Sequence, residues 1–147
     1  MNDIAMIKLS EKVSSEIKPA VISTIQHTNL FGLNAVAVGW GQTINNTTPA
    51  MLHVANLLIL PNEECSRRAT NLSGDEIIFD KRMVCTGYVP YAILHDGDSG
   101  GPLLFRNQIL AVSSGTCPFP QIYVHPEKLN VHFSVNFYKK FIRLNKL

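Results

Sequence analysis

Short apolar runs separated by clusters of Gly, Pro, Asn and Asp run through most of this chain. Several alternate apolar and polar positions, the period of a strand with one buried face. The pattern predicts strands over residues 4–9, 34–39, 50–60, 83–88, 102–105, 108–112 and 131–135. Many short strands with such breaks point to a sandwich or a barrel. The tail changes period. Phe133, Phe137, Phe141 and Leu144 recur at helical spacing, with Tyr138 and Ile142 beside them. Lys139, Lys140, Arg143 and Lys146 lie near the end, where cations favour the helix dipole. Residues 134–144 are therefore predicted as an amphipathic helix whose aromatic stripe packs on the core. A second short helix is predicted to start near Asn62, with Glu63 and Glu64 in its first turn. Residues 12–19 read as a linker.

Composition adds limits. At 147 residues the chain is one domain by length and long enough to bury a core. A net charge of +2 gives no argument for nucleic-acid or membrane partners. The longest apolar candidate, residues 57–60, is a strand and far short of the ~18 residues of a membrane span. The five histidines, His27, His53, His95, His125 and His132, are too dispersed for a metal site, and no cofactor is expected. An odd count of three cysteines leaves one thiol over in a secreted chain. Asn-x-Ser/Thr triplets begin at Asn45, Asn46 and Asn71, all in polar stretches that read as surface loops.

The chemistry concentrates in Gly97-Asp98-Ser99-Gly100-Gly101-Pro102-Leu103. Glycines on both sides of a serine let the backbone turn tightly and approach a substrate closely. Such a loop can hold a hydroxyl beside backbone N–H groups, and acyl transfer needs both an attacking oxygen and an oxyanion hole. The Gly-x-Ser-x-Gly core also fits the nucleophile elbow of an α/β-hydrolase. That fold requires a helix after the elbow and an acid before the histidine. Here residues 102–105 read as strand, no Asp follows Ser99 and Glu127 is the only acid left after it, so that alternative is rejected.

Together with Asn2-Asp3-Ile4-Ala5-Met6-Ile7-Lys8-Leu9, Val38-Gly39-Trp40-Gly41 and Ser113-Ser114-Gly115, the seven residues resemble the chymotrypsin-like (trypsin-family) serine proteases. In that family the first segment reads Asp-Ile-Ala-Leu-Leu-Lys-Leu, and its Asp is the triad acid. The resemblance implies an all-β fold: the second six-stranded antiparallel Greek-key barrel of such a protease, with a C-terminal α-helix. Residues 1–20 would be a strand and inter-barrel linker, and residues 21–147 the barrel and terminal helix. Ser99 would be the nucleophile and Asp3 the orienting acid. Gly97 and Ser99 would give the oxyanion donors, and Ser113 would hydrogen-bond Asp3. Asp98 would pair, in the family, with an amine released by zymogen cleavage, a partner expected to be missing here. Ile93 would form the pocket floor, Gly115 and Asn130 its walls, and Ser113 would also belong to the pocket. An Ile floor argues against Arg or Lys at P1, and Asn130 would narrow the pocket towards small or medium apolar side chains. Ser114 would stand where the family usually has Trp.

The resemblance also implies a Cys65–Cys85 disulfide. Cys117 would be left single, because His95 occupies its partner's position, and Ala35 and Phe105 replace both ends of another family bridge. The triad histidine of the family lies roughly 45 residues before the Asp, so the expectation is a chain that begins after it and lacks the N-terminal barrel. The implied function is serine-type endopeptidase action on polypeptide substrates, or engagement by protein inhibitors, outside the cell. The isolated chain is expected to turn over poorly. The alternative is a non-catalytic homologue acting as a protein-binding module.

Overall fold

The predicted strands are realised, with one exception, as the walls of a closed barrel. The computed structural model describes residues 2–87, 92–118 and 125–145. In chain order the elements are β1 (Val21–Ile22), a 3-10 turn (His27–Leu30), β2 (Asn34–Gly39), β3 (His53–Leu60), α1 (Asn62–Ser73), β4 (Met83–Gly87), β5 (Pro102–Phe105), β6 (Gln108–Cys117), β7 (Leu129–Ser134) and α2 (Lys139–Leu144). Strands β6, β5, β2, β3, β4 and β7 pair antiparallel in that order, and β6 pairs again with β7 to close the ring. β2, β3 and β4 are consecutive neighbours, while β5 returns to lie beside β2: a six-stranded Greek-key barrel. β1 adds a two-residue parallel pairing to β6. Residue 88 of the predicted 83–88 strand lies outside the described residues, as does Lys146.

Alternation decides what fills the barrel. On β2, Ala35 and Ala37 point inward and leave room for Leu57, Ile59, Val84, Leu103 and Leu110 from neighbouring strands. Ala35 and Phe105, the two positions that lack the family cysteines, both join this core. A second cluster lies between the barrel and α1, where Cys65 and Ala69 pack on Leu60, Phe79, Cys85 and Leu129. The Cys65–Cys85 disulfide pins α1 to β4 within this cluster. α1 starts with Glu63 and Glu64 in its first turn and ends at Gly74, whose left-handed backbone sends its N–H to Thr70 O.

Three expectations change. Residues 4–9 form no strand: among the described residues they have no ladder partner, and Ile7 is 85% exposed. Alternation alone cannot hold a strand whose backbone groups find no neighbour. The terminal helix is shorter than residues 134–144. Ser134 belongs to β7, and Val135 N–H donates to Leu110 O, so the chain stays tied to the barrel before it turns. The apolar stripe is correspondingly rotated. Tyr138 and Ile142 are buried, while Phe137, Phe141 and Leu144 are exposed.

Candidate active site

Two glycines set the shape of the Ser99 loop. Gly97 has φ 98° and Gly100 φ 86°, backbone conformations that residues with a β-carbon rarely adopt. The turn between them lifts Ser99 to the surface. Around it, Asp98 N–H donates to His95 O, Gly100 N–H to Ser113 O and Gly101 N–H to Asp98 O. Among the described residues, the N–H groups of Gly97 and Ser99 take no internal acceptor. They are the two donors expected of an oxyanion hole.

The loop is clamped from below by its own acid. The Asp98 carboxylate accepts Gly41 N–H at 2.9 Å and His95 N–H at 3.0 Å. Gln42 N–H adds a bond to Asp96 O. Asp98 is therefore half-buried but hydrogen-bonded by backbone, so its carboxylate is not left an orphan.

Ser114 joins the nucleophile to the acid. Ser99 Oγ donates to Ser114 O at 2.9 Å, and Ser114 Oγ donates to Asp3 Oδ2 at 2.5 Å. This corrects the expectation for Ser113, whose hydroxyl instead faces the buried ring of His132. The cause is a β-bulge. Ser113 lies opposite His132 and Gly115 opposite Val131, so Ser114 is the extra residue of β6. A bulge re-aims one side chain, and here it turns Ser114 outward to Asp3. Asp3, Ser99, Gly100, Val112 and Ser113 border one hollow of about 350 Å³. Asn2 Oδ1, accepting the Tyr138 hydroxyl at 2.7 Å, anchors the segment that carries Asp3.

The expected pocket residues are partly brought together. Asn130 is fully buried on β7, directly opposite Thr116. Its Oδ1 accepts Leu94 N–H at 2.7 Å and its Nδ2 donates to Ala92 O at 3.1 Å. Ile93, between those two partners, borders a separate hollow of about 580 Å³ that includes Asp98 but neither Ser99 nor Asp3. Gly115 lies half-buried on β6.

Among the described residues no hydrogen bond joins a histidine to Ser99 or Asp3. His132 is enclosed between Ser113 Oγ and Thr86 Oγ1, each 3.1 Å away, and burial pushes its pKa down to about 3. His27 stacks edge-on against Phe31. His95 borders the Asp98 hollow with His53, and His125 Nδ1 accepts Glu127 N–H. Cys117 carries a free thiol that burial pushes up from its ordinary pKa.

Comparison with known proteins identifies the family and the fold. A family model described as Trypsin matches residues 1–142. Melanization protease 1 of Drosophila melanogaster is 37% identical over 112 residues, 73% of this chain and 27% of its own length. The thrombin-like enzyme cerastocytin of Cerastes cerastes is 31% identical over 144 residues, 96% of this chain and 53% of its own length. The solved structure of mouse neuropsin, a serine protease, superposes with a TM-score of 0.69 at 24% identity, over 90% of this chain and 56% of that one. The chain thus spans about half, or less, of the relatives it matches.

Proposed function

The chain belongs to the trypsin family of serine proteases, and on that premise we propose that it supplies the nucleophile half of a serine endopeptidase site. Ser99 attacks the scissile carbonyl, and the developing oxyanion enters the space faced by the N–H groups of Gly97 and Ser99. Asp3 orients a histidine and stabilises its imidazolium. The observation that carries this reading is the Ser114 bridge, which holds the nucleophile by its carbonyl and the acid by its hydroxyl.

The base is the missing part. Among the described residues no histidine is hydrogen-bonded to Ser99 or Asp3, so the reading assigns the base to a segment outside these 147 residues, the counterpart of the family's N-terminal barrel. The chain alone therefore turns over inefficiently, because such a base contributes typically ~100- to 10,000-fold. Secretion follows the family and is supported by the Cys65–Cys85 disulfide. Polypeptides or protein inhibitors are the partners.

Specificity follows from the bulge. Because Ser114 takes the Asp3 bond, family positions shift by one along β6. The pocket wall expected at Gly115 passes to Thr116, opposite Asn130, and Gly115 takes the position where the family usually has Trp. On the family's arrangement an uncharged Ile93 and a buried Asn130 favour a small or medium apolar P1 side chain over Arg or Lys, although Ile93 borders a hollow separate from the one at Ser99. The Asn130 side chain, tied to residues 92 and 94 across the pocket region, favours a second reading, a non-catalytic homologue that binds polypeptides without turnover. Ester hydrolysis by the chain with imidazole supplied in solution separates the two. A Ser99-dependent rate supports the half-site, and its absence supports the binding module.

A further inference from the structure

The turn between β2 and β3 carries two overlapping triplets that proteolysis leaves without a role, Asn45-Asn46-Thr47 and Asn46-Thr47-Thr48. We propose that Asn46 is an N-glycosylation acceptor and that its glycan stands beside the loop holding Asp98. The proposal rests on the extracellular part of the reading above and not on catalysis.

The three candidate triplets differ in structure. Thr43 N–H donates to Thr47 O and Asn46 N–H to Thr43 O, which folds the turn on itself. The Thr47 hydroxyl, which the Asn45 triplet would use, is bonded to the Thr43 hydroxyl at 2.8 Å. Asn46 projects from the crest with φ 57°, a left-handed conformation that Asn tolerates well. Asn46 and its own hydroxyl partner, Thr48, are both exposed. Asn71-Leu72-Ser73 lies inside α1, where residues two apart do not face each other. The Ser73 hydroxyl there is bonded to Asp75 O and Thr70 O. Glu64 pairs with Arg67 and Arg68, which supports the helix that carries this triplet.

The surroundings suit a glycan. Ile44, Met51 and Leu52 are 66%, 77% and 42% exposed. Thr43, Ile44 and Leu52 border the hollow that contains Asp98. A bulky, solubilising group rooted at Asn46 covers this apolar rim, which otherwise invites association.

The chemistry is a simple displacement. The Asn46 amide nitrogen attacks the anomeric carbon of a lipid-pyrophosphate-linked oligosaccharide. The carbon–oxygen bond to pyrophosphate breaks, its electron pair leaves with the lipid pyrophosphate, and the amide nitrogen gives one proton to the transferase's base. One carbon–nitrogen bond forms, and nothing is oxidised or reduced.

The test is translation of the chain behind a cleavable leader into sealed endoplasmic-reticulum microsomes. The protease-protected chain is deglycosylated with peptide-N-glycosidase in heavy-oxygen water and mapped by mass spectrometry. The leader fixes the compartment, so a negative result falls on the site and not on secretion. Label at Asn46 is the expected result. Its absence from Asn46, with or without label at Asn45 or Asn71, overturns the proposal.

Discussion

His132 makes the fold sensitive to acid, and the size of the effect follows from its burial. The ring is 0% exposed and touches two hydroxyls, those of Ser113 and Thr86. Both hydroxyls can accept from a charged imidazole, so hydrogen bonding does not oppose protonation. Desolvation does, and it lowers the pKa from 6.5 to about 3. Because the folded value lies below the unfolded one, the unfolded chain binds the extra proton between those limits. Stability from this group is therefore complete above the unfolded pKa and is lost as pH falls from about 6.5 towards about 3. The whole shift corresponds to about 5 kcal/mol, and the part lost between pH 7 and pH 5 to about 2 kcal/mol. Glu64 and Asp80 are held below the usual carboxylate range by bonds from Arg67, then Arg68, and from Arg82 respectively. They lose their contributions only at lower pH, so this window isolates the histidines. His27, lowered mainly by burial, adds a component of the same sign. The assay is urea unfolding at both pH values for the wild type and His132→Gln, whose amide can serve the same two hydroxyls. The wild type should lose about 2 kcal/mol more than the variant between pH 7 and pH 5. In parallel, the His132 ring resonances of the folded wild type should not titrate down to pH 5. Equal losses in both proteins, or a ring that titrates near its ordinary pKa, would refute the reasoning.

Two further outcomes follow from the loop and the cysteines. A β-carbon on Gly41 falls inside the Asp98 carboxylate, so Gly41→Ala should destabilise the fold by about 1–3 kcal/mol in urea unfolding and release the Ser99 loop to faster amide exchange. An unchanged stability would mean that the Asp98 clamp is soft. Non-reducing peptide mapping should recover Cys65–Cys85 and an alkylatable Cys117. Because 20 residues separate the pair, Cys65→Ala with Cys85→Ala should cost about 3 kcal/mol, and a Cys85–Cys117 peptide would contradict the assignment.

Much of the barrel was legible because period-2 alternation, breaks at Gly, Pro and Asn, and inward alanines encode a strand wall locally. β2 and β5 have the bounds that their patterns predict, and α1 begins at its two acids. Failures arose where a neighbour decides. Residues 4–9 alternate like a strand, yet a strand needs a ladder that no local pattern supplies. Phe137 and Phe141 repeat at helical spacing, but the tie from Val135 to β6 turned the buried face to Tyr138 and Ile142. At the site, Ser99 was singled out by its flanking glycines, and Asp98 and Asp3 by the family resemblance. Ser114 was not, because the strand count runs through a bulge that leaves no mark in the sequence. His132 was equally silent. An alternating strand gives its face but not the hydroxyls that meet the ring.

The central claim is that the nucleophile and oxyanion donors are assembled and that only the base is missing. Hydrolysis of a small apolar ester by the 147-residue chain, in increasing imidazole, tests it most directly. Free imidazole can enter the exposed space at Ser99 and accept its proton. The account predicts almost no turnover without imidazole and a saturable rise with it, lost in Ser99→Ala and weakened in Ser114→Ala. Equal imidazole-dependent rates in the wild type and Ser99→Ala would contradict it.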